Sequence, residues 1–188
     1  SYGPALRGAF VSDDIGYVSG NPWIHSLGWS NLLAILDPTG PAAAHTANYA
    51  PVHLLLHAGA WQLFGPNTFG HHVLNVGLHA LASGLLVALF ARHAVPFAAA
   101  LLGGAIFLLH PANVEAVAWI FQLKSIAALA LATGALLLEP RRPLAATALF
   151  ALALLTKIQA AFAWPVLLLA IVCGAPEGAR ARRARLGG

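Results

Sequence analysis

The chain has 188 residues, of which 59% are hydrophobic and only 9% are charged, with a formal net charge of +4 at pH 7. A soluble domain carries about a quarter charged residues, so this composition excludes an ordinary water-exposed surface. The single cysteine, Cys173, excludes a disulfide framework or a cysteine-based metal centre within the chain. We therefore expect an all-α, polytopic integral membrane protein.

The first 65 residues are the polar part of the chain, and we expect them to form an extracytoplasmic loop. The segment from Trp23 to Leu36 combines two tryptophans with spaced aliphatic residues, which predicts a short helix at the membrane interface. An amphipathic helix packed on a protein core is the alternative. A second helix is predicted from Pro51 to Gly65, because proline favours helix starts and glycine favours helix ends.

Apolar segments dominate residues 66–175, which we expect to be the membrane region. Five are evident, at 70–91, 95–109, 123–138, 143–156 and 160–174. A perpendicular crossing needs about 20 residues, so several of these must be short or tilted helices. The chain starts at Ser1 without a signal-peptide pattern, so we expect a fragment whose preceding membrane helix is missing.

The distribution of basic residues predicts the topology. If residues 1–65 lie outside and each apolar segment crosses once, seven of the ten Lys and Arg residues fall on the cytoplasmic side, as the positive-inside rule requires. The basic tail 176–188 then lies in the cytoplasm. The exceptions are Arg7, Lys124 and Lys157. If 143–174 were one helix, the two arginine clusters would lie on opposite sides of the membrane.

Three features outside the cytoplasm could carry chemistry. Asp13 and Asp14 are adjacent carboxylates, which can divide the roles of general base and of acceptor or metal positioning, or can simply form a solvated turn or a helix cap. His110 and Glu115 lie at a membrane rim, where polar groups are costly unless paired or wet. Capping is the structural alternative there.

The two lysines on the outer side, Lys124 and Lys157, are the third feature. Each contradicts the positive-inside bias, so each is either a snorkelling side chain or a counter-charge for a lipid phosphate. The histidines suggest metal binding, since His53 and His57 are four residues apart. Because no third ligand is evident, packing and polar contacts at the interface are the favoured reading. The arginines of the tail indicate anionic lipid rather than nucleic acid.

Several stretches together resemble a known family, the O-mannosyltransferase-like proteins in which membrane helices precede tetratricopeptide repeats, within the GT-C glycosyltransferase superfamily. The stretches are Asp13-Asp14 with Tyr17-Val18 and Asn21-Pro22, Asn48-Tyr49-Ala50-Pro51, Trp61 to Gly65, His71 to Asn75 with Leu78-His79-Ala80, His110-Pro111 with Glu115 to Ile120, and Thr156-Lys157 with Pro165 to Leu169. They cover nearly the whole chain, and their order and spacing are more specific than any one motif.

The resemblance implies a partial GT-C fold and transfer of a sugar, mannose in this family, from a polyprenyl- or dolichyl-phosphate donor to an acceptor hydroxyl such as a protein Ser or Thr. It implies that Asp13 is the general base and that Asp14 positions the acceptor or a divalent metal. Lys124 and Lys157 are then candidates for the donor phosphate, and the residues expected in the pocket wall are Tyr49, His110 and Glu115.

A non-catalytic membrane scaffold or a transporter-like protein is the alternative function. A transporter should carry polar groups near the middle of its spans. In this sequence those positions are almost all Ala, Leu, Val and Gly, and the charges lie at the ends of the segments. The pattern therefore favours the transferase over a transporter, and it leaves a scaffold open.

Overall fold

A computed structural model describes residues 3–93, 95–139, 141–163 and 165 of the chain. These residues form helices and turns, with no strand among them. The predicted basic tail 176–188 and most of the predicted fifth apolar segment, 160–174, lie outside the described residues. The α-helices in the described part are α1 (Trp29–Leu36), α2 (Pro41–Thr46), α3 (Pro51–Phe64), α4 (Thr68–Arg92), α5 (Phe97–Leu109), α6 (Val114–Ala118), α7 (Leu123–Leu138) and α8 (Pro143–Thr156).

Membrane crossing is supported for two or three helical stretches in the described residues. Thr68–Arg92 and Ile120–Leu138 are 25 and 19 residues long and apolar enough to span, and a third crossing results if Phe97–Leu109 and Pro111–Ala118, bent by 50°, count as one broken span. At 14 residues, α8 is too short for a perpendicular crossing. The protein is therefore a helical membrane protein, and the predicted five crossings remain a prediction.

Helix α4 has polar side chains on its buried face and apolar residues on its exposed face. Its buried positions include two adjacent histidines, an asparagine, a third histidine and a serine, namely His71, His72, Asn75, His79 and Ser83. Its exposed positions include Phe69, Val73 and Leu81. A helix in water has the opposite polarity. This arrangement is the one that a lipid environment requires, with polar groups turned into the protein interior.

The polar side chains of α4 connect it to its neighbours. Ser83 Oγ donates a hydrogen bond to the Gly104 carbonyl at 2.9 Å, and His79 Nε2 donates to the Leu108 carbonyl at 3.2 Å. Asn75 Nδ2 donates to the carbonyl of Trp119 at 3.0 Å. Helix α5 therefore runs antiparallel to α4, and α7, which follows Trp119, begins beside the start of α4.

One end of the bundle collects the residues that the sequence analysis singled out. We call it the site face: α4 begins there, α5 ends there, α7 begins there, and Lys157 at the end of α8 contacts Ser125 in the first turn of α7. At the opposite end, Arg92 Nη1 donates to the Leu137 carbonyl at 2.5 Å. The helices α4, α5, α7 and α8 therefore alternate in direction, and that each of them crosses the membrane remains a prediction. Which face is cytoplasmic remains a prediction.

Residues before α4 form a small layer over the site face. Its core is a cluster of buried apolar side chains, namely Val18, Ile24, Ala34, Ile35, Ala42, Leu54, Ala58 and Ile120. Ile120 lies at the start of the span that contains α7, so this cluster joins the layer to the bundle. The predicted Pro51–Gly65 helix is present as α3, and the predicted helix from Trp23 to Leu36 is divided into a 3-10 turn at Pro22–Ile24 and α1.

Candidate active site

The acidic pair lies on a turn in which the two carboxylates have different surroundings. Ser12, the residue before the pair, has a left-handed φ of 51°, which is uncommon for a residue other than glycine and is often found at functional sites. The Asp14 N–H donates to the Val11 carbonyl at 3.0 Å and closes the turn. Asp13 is exposed, whereas Asp14 is only 1% exposed.

Both carboxylate oxygens of Asp14 accept hydrogen bonds from the backbone. Oδ2 accepts from the Val11 N–H at 3.0 Å, and Oδ1 accepts from the Phe121 N–H at 2.7 Å. Burial raises the pKa of Asp14 above its usual 3.8, and these two hydrogen bonds partly offset that effect. The Phe121 N–H belongs to the first turn of the Ile120–Leu138 span, so Asp14 fastens the acidic turn to the beginning of that span.

Asp13 lies near the aromatic and cationic groups of the site. Burial raises the pKa of Tyr17, and the charge of Asp13 raises it further. Asp13 also interacts favourably with the charge of Lys124. The Lys124 Nζ lies 5.7 Å from the centroid of the Tyr17 ring and 3.4 Å from that of Phe121. Tyr17 therefore lies near both the exposed carboxylate and the ammonium group, and the aromatic faces stabilise the cation.

Lys124 and Lys157 both lie at the first turn of α7. Lys124 belongs to that turn, and Lys157 Nζ donates to Ser125 Oγ at 2.7 Å. The two ammonium groups are close enough to repel each other, and burial lowers the pKa of Lys157 below its usual 10.5. Two ammonium groups held at one turn in this way are suited to binding a phosphate.

An apolar groove leads away from Lys157. Its volume is about 380 Å³, and Ser125 and Lys157 lie among its lining residues. The other lining residues are mostly small or apolar: Ala128, Leu129, Ala132, Gln159, Ala160, Phe162 and Ala163. A ligand with a charged head and a hydrocarbon chain would meet both kinds of surface here.

The three predicted pocket residues lie in other settings. His110 is exposed, and its Nδ1 accepts a hydrogen bond from the Ala112 N–H at 3.1 Å, so it caps the following turn. Glu115 is exposed in the first turn of α6. Tyr49 donates its hydroxyl to the Leu36 carbonyl at 3.1 Å and lines a different cleft, of about 330 Å³, beside α2. The structure thus brings Asp13, Lys124 and Lys157 together, and it does not add these three to that group.

The sequence reasoning missed Tyr17 and Ser125 as site residues. Tyr17 follows Asp13 by four residues and Ser125 follows Lys124 directly, so proximity along the chain was the available signal. His53 and His57 are fully buried, with ring centroids 4.7 Å apart. Burial lowers the pKa of both, that of His57 to about 3, so both are neutral at pH 7. Among the described residues no three His, Cys, Asp or Glu side chains are placed to hold a metal.

The fold and the site define a helical membrane protein with an exposed carboxylate, two lysines and an apolar groove on one face. The mouse protein O-mannosyl-transferase TMTC1 is 33% identical to this chain over 130 residues, which cover 63% of the chain and 13% of the mouse protein. The human protein O-mannosyl-transferase TMTC1 is 32% identical over 130 residues, 63% of the chain and 14% of that protein. The resemblance that the motifs indicated is thereby confirmed.

The matched part of the chain spans only 13–14% of the length of these relatives. No protein-family profile matches it. No solved structure matches it either.

Proposed function

We propose that this chain is the site-bearing part of a membrane glycosyltransferase that moves a sugar, mannose, from a polyprenyl- or dolichyl-phosphate donor to an acceptor hydroxyl, with protein Ser or Thr as the acceptor class. The supporting observation is that residues 13, 124 and 157, far apart in sequence, meet on the site face. The names and the similarity of the two relatives support the transferase class.

The donor phosphate is the ligand that the cationic pocket fits best. Lys124 and Lys157 supply two ammonium groups, and the Ser125 hydroxyl accepts a hydrogen bond from that of Lys157. No ion pair between either lysine and a carboxylate is found in the described part of the chain, so their charge is available to a ligand. As the sugar leaves, negative charge builds on the bridging phosphate oxygen, and fixed cations nearby stabilise it. The apolar groove beside Lys157 would hold the start of the prenyl chain.

The acceptor is activated by Asp13 in this proposal. The acceptor oxygen forms a bond to the anomeric carbon of the sugar, the bond from that carbon to the phosphate oxygen breaks, and the hydroxyl proton passes to the Asp13 carboxylate. Attack from the face opposite the phosphate inverts the configuration. Phosphate is a good leaving group, so positioning and a base carry most of the chemistry.

Asp14 has a different role in this proposal. Because both of its oxygens already accept backbone hydrogen bonds, it holds the turn of Asp13 against the helix that carries Lys124. Asp13 lies near the Lys124 ammonium, and both oxygens of Asp14 already accept backbone hydrogen bonds, so the groups around Asp13 do not fit a divalent metal. The mechanism therefore uses the protein groups alone.

Sugar transfer tests the proposal. Membranes containing the protein in its natural full-length form would be incubated with radiolabelled polyprenyl-phosphate mannose and Ser/Thr-containing acceptor peptides. We expect label in the peptide fraction with wild type, none with Asp13→Asn, and wild-type levels with the control Asp37→Asn, an exposed acid whose Oδ1 caps Thr39. Equal incorporation by wild type and Asp13→Asn would refute the assignment of the base. A protein that binds donor lipid without transferring from it would be a scaffold.

A further inference from the structure

The Lys124 ammonium group rests on aromatic rings. Its Nζ lies 3.4 Å from the centroid of the Phe121 ring and 5.7 Å from that of the Tyr17 ring. The two rings meet edge to face, with centroids 4.5 Å apart, so they form one continuous aromatic surface. We call this surface, made by Phe121 and Tyr17, the aromatic seat.

Asp13 is the carboxylate that competes with the aromatic seat for this cation. Its side chain is exposed, and its charge acts on both Lys124 and Tyr17. A lysine ammonium sits on a flexible four-carbon stem, so it could swing towards the acid. In the described part of the chain, however, the ammonium lies over the Phe121 ring and no ion pair joins Lys124 to a carboxylate.

The burial of the rings explains why the cation stays on the aromatic seat. Phe121 is only 6% exposed and Tyr17 is half-buried. Attraction between a cation and an aromatic face is strongest where water is partly excluded. An ion pair with the exposed Asp13 would instead be weakened by water and salt. The aromatic contact therefore outweighs the ion pair at this position.

Contacts on both rings hold the aromatic seat in place. The Tyr17 hydroxyl donates to the Thr46 carbonyl at 2.6 Å, and the His53 ring packs on the Phe121 ring with centroids 5.5 Å apart. The Phe121 N–H donates to Asp14 Oδ1 at 2.7 Å. Phe121 therefore anchors the acidic turn through its backbone and holds the cation through its ring.

We propose that Phe121 and Tyr17 are positioning residues that keep the Lys124 ammonium from pairing with Asp13. In the proposed function, on which this inference rests, the separation leaves the carboxylate free to accept the proton of the acceptor hydroxyl. It also leaves the ammonium free to meet the donor phosphate. An ion pair between the two groups would neutralise both, because a neighbouring cation makes a carboxylate a weaker base.

Zero-length cross-linking measures this pairing directly. The purified full-length protein in mixed micelles would be treated with a water-soluble carbodiimide, which joins an amine to a carboxylate in contact with it. The amide between residues 13 and 124 would be quantified by mass spectrometry. Phe121→Leu removes one ring and keeps the backbone N–H that holds Asp14. Tyr17→Leu removes the other ring and serves if Phe121→Leu fails to fold. Tyr17→Phe is the matched control, because it keeps the ring and loses only the hydroxyl.

We expect several-fold more of this amide in the two leucine variants than in wild type or Tyr17→Phe, and none when Asp13→Asn is added. The acidic limb of the pH–rate profile of sugar transfer should also move to lower pH in the leucine variants, because the paired ammonium stabilises the charged carboxylate.

Wild-type amide yields in both leucine variants would overturn the inference. Reduced transfer with an unchanged pH profile would overturn it too, since that result would show a merely structural role for the rings. The cross-link forms without donor lipid, so its yield decides the inference even if the wild-type protein transfers no sugar, a result that would count against the proposed function alone.

Discussion

Replacement of Asp14 by Ala should separate the two roles of the acidic pair. The substitution removes the acceptor of two backbone N–H groups. The Phe121 hydrogen bond is buried and the Val11 hydrogen bond is partly buried. A buried donor left without an acceptor costs about 1–3 kcal/mol, so we assign about 2 kcal/mol to the Phe121 N–H and about 1 kcal/mol to the Val11 N–H. The free energy of unfolding should therefore fall by about 3 kcal/mol.

The assay is reversible unfolding in mixed micelles, followed by tryptophan fluorescence. Asp14→Asn should cost less than Asp14→Ala, because its Oδ1 can still accept from the Phe121 N–H. Asp13→Asn is the matched control, since Asp13 is exposed: it should leave stability unchanged while sugar transfer is lost. Hydrogen exchange of the Phe121 amide should accelerate only in the Asp14 variants.

The reasoning would be refuted by an Asp14→Ala protein as stable as wild type, with unchanged exchange at Phe121. It would equally be refuted if Asp13→Asn were the destabilising member of the pair. The sugar-transfer activity of the Asp14 variants shows whether Asp14 only positions the turn or takes part in the chemistry. If Asp14 only positions the turn, Asp14→Asn should retain part of the wild-type turnover, whereas Asp13→Asn should retain none.

Three further predictions follow from the contacts described. In a lipid-binding assay, Lys157→Ala should weaken donor-lipid binding by about tenfold to a hundredfold, because one charge-assisted hydrogen bond contributes about 1.5–3 kcal/mol. Lys157→Arg keeps the charge and should retain part of the affinity. The pKa of Asp14 is raised in the folded state, so just above pH 3.8 the folded protein binds more protons than the unfolded chain. The free energy of unfolding should therefore fall as the pH rises through that window. The Asp14→Asn variant should lack this fall. Asn75→Leu should lower the free energy of unfolding by about 1–3 kcal/mol, because the carbonyls of Val117 and Trp119 lose their donor. Ala82→Gly, which lowers the helix propensity of α4 without removing a hydrogen bond, is the comparison.

The membrane helices could be predicted well from the sequence because their signal is local. The apolar run predicted at 70–91 is Thr68–Arg92 in the structure, and the runs at 123–138 and 143–156 have the same bounds as α7 and α8. Uninterrupted hydropathy determines such segments without reference to the rest of the chain. The helix predicted from Trp23 was less accurate, because the chain turns at Ser26 and Gly28, where the Gly28 N–H bonds to Ser26 Oγ, and α1 begins only at Trp29.

The different burial and hydrogen bonding of Asp13 and Asp14 could not be predicted. In sequence they are equivalent neighbours, and the partner that distinguishes them, the Phe121 N–H, is 107 residues away. The same limit applies to the two lysines. Their common side was predicted from charge bias, whereas their meeting at Ser125 depends on the packing of α8 against α7. Long-range contacts of this kind follow from the fold and leave no periodic signal in the chain.

The uneven polarity of α4 has a consequence for membranes of different thickness. Its buried polar side chains all lie between His71 and Ser83, and residues 84–91 are apolar. Three hydrogen bonds from α4 side chains therefore set the distances between α4, α5 and the start of α7 at one end. At the other end Arg92 donates to the Leu137 carbonyl, and van der Waals contacts provide the rest of the packing. When a thinner or thicker bilayer makes the helices tilt, the adjustment falls on the apolar end. We therefore expect the spacing between Asp13 and Lys124, whose turns are joined by the Asp14 hydrogen bond to Phe121, to change little with bilayer thickness.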